Sequence, residues 1–118
     1  MLRFLLGGAI ATLMLATPTL ADPSGVYAVS GYNPDGSSYE GEVLVSRVGD
    51  TFALSYTIGD DTFTGTALGD DEVLAVGYTS GNDDVGVALM VESENGFEGV
   101  WTFLGSKTMA VETWTAQQ

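Results

Sequence analysis

The chain has 118 residues, sixteen of them acidic and three basic, with neither histidine nor cysteine. That composition excludes disulfides, thiolate nucleophiles and the imidazole and thiolate ligands of transition-metal sites, so any catalysis would fall to carboxylates, hydroxyls or the single lysine. The length suffices for one hydrophobic core and not for two.

The first 21 residues read as a secretory signal peptide. Arg3 gives a basic start, Phe4 to Ala16 an apolar core, and Thr19, Leu20 and Ala21 precede the expected cleavage. Pro18 interrupts the uncharged run and no basic stop-transfer flank follows it, which favours a cleaved signal over an anchor. The expected product is a secreted or periplasmic domain over residues 22–118, with no membrane insertion. Beyond residue 21 only Arg47 and Lys107 oppose the sixteen acidic residues, a side-chain charge of −14 that repels nucleic acid and anionic membrane surfaces.

From Gly25 onward apolar residues recur at period two, and turn signals recur about every ten residues, the pattern of an all-β sandwich or barrel. Strands are predicted over 25–33, 38–48, 51–58, 62–68, 72–79, 85–93, 97–104 and 109–116. The first pair flanks NPDGSS, in which Pro34 pre-sets φ and Gly36 can take the positive φ that follows. Connections this short join neighbouring antiparallel strands, so the expectation is an eight-stranded up-and-down meander closed into a barrel, with room for side chains or one small ligand.

Alternation assigns the inward faces. The third strand points Phe52, Leu54, Tyr56 and Ile58 one way; the fifth gives Leu74, Val76 and Tyr78, and the seventh Phe97, Gly99, Trp101 and Phe103. The sixth, VGVALMV, is apolar on both faces and leaves its direction open. The opposite face carries Glu40, Glu42, Ser46, Ser55, Thr57, Thr62, Thr64 and Glu98, which argues for water outside rather than for a transmembrane barrel. An aromatic followed two residues later by glycine recurs at Tyr39/Gly41, Phe63/Gly65 and Phe97/Gly99, read as barrel corners at which glycine permits a bend and the ring covers it.

The acidic turns Asp60-Asp61, Asp70-Asp71-Glu72 and Asn82-Asp83-Asp84 match no calcium loop, and a carboxylate pair is easily found among sixteen, so no metal, cofactor or catalytic residue is assigned. In a meander Asp35, Asp60, Asp61, Asp83 and Asp84 would gather at one end. Arg47 shares a predicted face with Tyr39, Gly41, Val43 and Val45, and Glu112 shares one with Ala110 and Trp114. If both faces point inward, the two form a charged pair near one mouth, either anchoring a ligand or plugging the barrel. The candidate ligand contacts are Tyr27, Arg47, Tyr56, Trp101, Glu112 and Trp114, although an interior filled by the four rings among them would leave no room for a ligand.

The succession GYNPDGSSYEGEV, GDTFALSYTIGDDTFTGTA, LAVGY, GVALMV, FEGVWT and ETWT resembles a group of small secreted bacterial proteins labelled fibronectin-binding protein, over nearly all of residues 25 to 116. Its motifs are mainly strand and turn residues and carry a fold better than an activity. Gly25-Val26-Tyr27 is also similar to the Gly-x-Trp opening of lipocalin and avidin barrels, with tyrosine in place of tryptophan, while the biotin-contacting pattern of avidins is not evident. Together these imply an exported, non-catalytic binding barrel whose partner is a small apolar ligand or an extracellular matrix or envelope protein. The alternatives are a structural envelope protein with a filled barrel and, ranked last, a carboxylate-based hydrolase.

Overall fold

The computed structural model describes residues 22–117; the expected signal peptide lies outside them. Eight strands follow one another: β1 (Gly25–Tyr32), β2 (Ser38–Val48), β3 (Thr51–Ile58), β4 (Asp61–Gly69), β5 (Val73–Thr79), β6 (Val85–Ser93), β7 (Gly96–Phe103) and β8 (Ala110–Ala116). Each pairs antiparallel with its neighbours and β8 returns to β1, closing the barrel. Closure leaves no unpaired edge.

Turn chemistry sets the registers. Gly49 and Gly59 (φ 60° and 62°) each open a two-residue hairpin loop, the position at which a II′ turn requires a positive φ. In the first connection the Gly36 amide donates to the Asn33 carbonyl at 2.9 Å, and the Asp35 carboxylate accepts from the Ser37 amide and hydroxyl at 2.9 and 2.6 Å.

The inward faces are those that alternation assigns, and the register settles β6: Gly86, Ala88 and Met90 point in, while Val85, Val87, Leu89 and Val91 point out. The outer surface is therefore mixed over β2 to β4 but apolar over β6, and exposed Val87 and Leu89 of β6, Leu68 of β4 and Met109 before β8 line a shallow depression. The sequence expectation of a polar exterior holds for only part of the circumference.

Inside, the two ends differ. At the end where β1 begins, Phe52, Leu74, Met90, Phe97 and Trp114 fill the bore, and Pro23, just before β1, is buried, its carbonyl accepting from the Tyr27 hydroxyl at 2.8 Å. Trp114 is fully buried, with its ring centroid 5.5 Å from Tyr27, 5.8 Å from Phe97 and 6.1 Å from Tyr56. This half is a packed core.

Arg47 corrects one expectation. It keeps the inward parity of β2 but lies past the packed end, 46% exposed, with its Nε 3.3 Å from the Asp22 carboxylate and its guanidinium 4.9 Å above the Phe52 ring. Glu112 stands opposite Gly31, which in turn pairs with Tyr39 at the far end of β2, so the two charges occupy opposite ends of the barrel and form no pair. Alternation reports a face, whereas height along the axis depends on the register of every strand between the two.

Candidate ligand-binding cavity

An eight-stranded barrel is just wide enough for side chains to fill. The half away from Pro23 holds a cavity of about 490 Å³, and one of its inward positions is the small Ala88. Tyr39, Tyr56, Ile58, Phe63, Tyr78, Ala88, Trp101, Phe103 and Glu112 line it, with Asn33, Asp61, Asp84 and Val85 completing its boundary.

Two tyrosines take their positions from glycines on the next strand. A Cβ on Gly31 would stand 2.5 Å from the Tyr39 hydroxyl oxygen, so the missing side chain is what lets this phenol lean across β1. There it reaches β8 and donates to Glu112 Oε1 at 2.5 Å. Tyr78 repeats the device across Gly86, where any Cβ would collide with the phenol, and its hydroxyl makes a long 3.4 Å bond to the Thr102 carbonyl. Between them stands Trp101, with ring centroids 6.1 Å from Tyr39 and 6.3 Å from Tyr78 at 74° and 64°, the edge-to-face geometry that aromatic quadrupoles favour.

Glu112 is 6% exposed, and Trp114 Nε1 donates to its Oε2 at 2.7 Å. Burial pushes its carboxyl up from the ordinary range, while the bonds from Tyr39 and Trp114 favour the anion and oppose the shift. Burial first, and the nearby Glu112 charge second, raise the hydroxyls of Tyr39, Tyr56 and Tyr78. The Trp101 indole nitrogen is buried and has no hydrogen-bond partner among the described residues. It lies near the Tyr39 hydroxyl, whose ionisation it slightly favours, without meeting it at hydrogen-bond geometry.

The raised Glu112 carboxyl has a measurable consequence. Its native state holds the proton more tightly than the unfolded chain does, so ionisation costs stability as pH climbs from the ordinary glutamate range, about 4.3, through the native value, and the penalty is absent below that range. Asp22, Asp35, Asp70 and Asp84, lowered chiefly by turn hydrogen bonds, act in the opposite sense but are common to wild type and variant. Denaturant melts of wild type and Glu112→Gln at about pH 4 and pH 8 should therefore show wild type losing ground to the variant as pH rises. A pH-independent difference would contradict the assigned burial.

Of the six residues singled out from sequence, Trp101 and Glu112 line the cavity and Tyr56, 4% exposed, forms part of its wall. Tyr27 and Trp114 lie in the packed half, and Arg47 is beyond it at the closed end. Tyr39, Phe63, Tyr78 and Phe103 were not singled out, although two belong to the aromatic–glycine motif. The glycines of that motif do allow close strand approach, since a Cβ on Gly65 would stand 2.7 Å from the Gly77 carbonyl. Their aromatic partners Tyr39 and Phe63 border the cavity, whereas Phe97 belongs to the packed core. Of the acidic turn residues, Asp61 and Asp84 reach its boundary, and no three potential metal ligands gather among the described residues.

Two solved structures share this architecture. A redesigned β-barrel, mFAP1, bound to DFHBI, superposes with a TM-score of 0.61 at 21% identity, over 80% of this chain and 94% of that one. The likeness is one of fold. EF1p2_mFAP2b bound to DFHBI gives a TM-score of 0.57 at 19% identity, over 81% of this chain and 93% of that one. No protein-family model and no curated protein matches the chain. The closed barrel agrees with the barrel fold that the sequence resemblance implies, and the comparisons give no evidence for fibronectin binding.

Proposed function

We propose that the chain is an exported, non-catalytic binding protein that takes one small, largely apolar molecule into the unfilled half of its barrel. The observation that carries this is the cavity of about 490 Å³ walled by aromatic rings, with the Trp101 N–H unpartnered beside it. Ligand pockets typically enclose about 300–1,000 Å³ and combine apolar walls with a few polar groups. A buried donor left unsatisfied costs about 1–3 kcal/mol, which a ligand acceptor would recover. That two barrels of the same fold are bound to DFHBI supports the reading. A filled barrel without a ligand, the structural alternative, describes only the packed half.

The test is titration with Nile red, a neutral dye bearing a carbonyl acceptor, followed by dye emission. Saturable one-to-one binding is expected, and Ala88→Leu, which pushes a larger side chain into the cavity, should weaken it at least about tenfold while the far-UV circular dichroism is kept. Absence of saturable binding, or binding indifferent to Ala88→Leu, would contradict the assignment.

A further inference from the structure

Resting on that reading, we infer that the molecule the cavity selects is an organic cation, an alkylammonium or quaternary ammonium group carried on an apolar or aromatic body. The buried Glu112 carboxylate is held by two neutral donors, Tyr39 and Trp114, and meets no cationic side chain among the described residues. Each of its oxygens accepts one bond and has acceptor capacity to spare. A buried anion without a counter-charge is costly, and a ligand's positive charge would offset that burial.

The surroundings favour the same sign. Arg47 is engaged with Asp22 at the closed end, and Lys107 is exposed in the β7–β8 connection and does not line the cavity. The walls are the π-systems of Tyr39, Tyr56, Tyr78 and Trp101, whose faces attract cations, and such cages are a recurrent solution for quaternary ammonium recognition. Asp61 and Asp84 border the cavity, and the side-chain charge of −14 beyond residue 21 raises the local concentration of cations and repels anions. A bound cation would also favour the ionised form of Glu112 over the acid.

A matched pair of probes separates charge from shape: 4-(trimethylammonio)phenol and its neutral isostere 4-tert-butylphenol, measured by calorimetry at pH 7.5 in low and high salt. The cation should bind at least about tenfold more tightly, with the preference narrowing in high salt and falling to about threefold or less in Glu112→Gln. If that variant does not fold, the wild-type pair of affinities and their salt dependence decide the matter alone. Equal or tighter binding of the neutral phenol would overturn the cation inference and leave the small-ligand reading standing. Failure of both probes and of Nile red to bind would overturn the two together.

Discussion

Trp114→Ala is expected to destabilise the barrel by about 3–5 kcal/mol, the range for removing a large ring from a well-packed core. Trp114 is fully buried and touches rings on three other strands, Tyr27 on β1, Tyr56 on β3 and Phe97 on β7, so its removal opens a void that rigid closed strands cannot collapse to fill. The variant also takes away one of the two donors to Glu112, and a buried carboxylate with a vacant acceptor adds to the loss. Trp114→Phe separates the contributions, since it keeps most of the ring and loses the N–H. Denaturant melts followed by circular dichroism measure both variants. A loss below about 1 kcal/mol for the alanine variant would mean that the packed half is not the core of the fold.

Gly31→Ala is the second large effect, at about 1–3 kcal/mol, the usual scale for forcing an extra carbon into a filled space. The added Cβ would stand 2.5 Å from the Tyr39 hydroxyl oxygen, 2.7 Å from its Cζ and 2.7 Å from the Val111 carbonyl oxygen. The phenol can swing away, but the carbonyl belongs to the β-ladder and cannot. Displacing Tyr39 would break its bond to Glu112 and move the ring into the cavity, so ligand affinity should fall along with stability. Repeating the substitution in a Tyr39→Ala background tests the route, because the clash with the ring is then gone and Gly31→Ala should be less costly. An equal cost in both backgrounds would show that Gly31 does not act through Tyr39.

The architecture was legible because its determinants are local. Period-two alternation and glycine- or aspartate-bearing turns placed all eight strands to within about one residue and implied the meander, and closure followed from strand number. The sixth strand was not legible, since Val85, Val87, Leu89 and Val91 outside are as apolar as Ala88 and Met90 inside; only pairing with β5 and β7 fixes it. For the site, alternation found the inward direction of Trp101, Tyr56 and Glu112 but not their height. Arg47 and Trp114 share that parity with them, yet one lies outside the closed end and the other in the packed half, because height is the sum of several strand registers. The Tyr39–Gly31–Glu112 arrangement joins three strands distant in sequence, and its one local trace was a glycine within β1, next to the turn.

The central claim, that the open half of the barrel is the binding site, is tested most directly by nuclear magnetic resonance of the protein saturated with the neutral 4-tert-butylphenol. The chain has two tryptophans, hence two indole N–H signals. Trp101 borders the cavity with its N–H unpartnered, while Trp114 is sealed below and bonded to Glu112. The Ala88 methyl faces the cavity, and the Val87 and Leu89 methyls face out from the same strand. The account predicts large shifts for the Trp101 indole N–H and the Ala88 methyl, with the Val87 and Leu89 methyls unmoved. Shifts confined to Val87 and Leu89, with Trp101 and Ala88 unchanged, would place binding on the apolar outer face and contradict it.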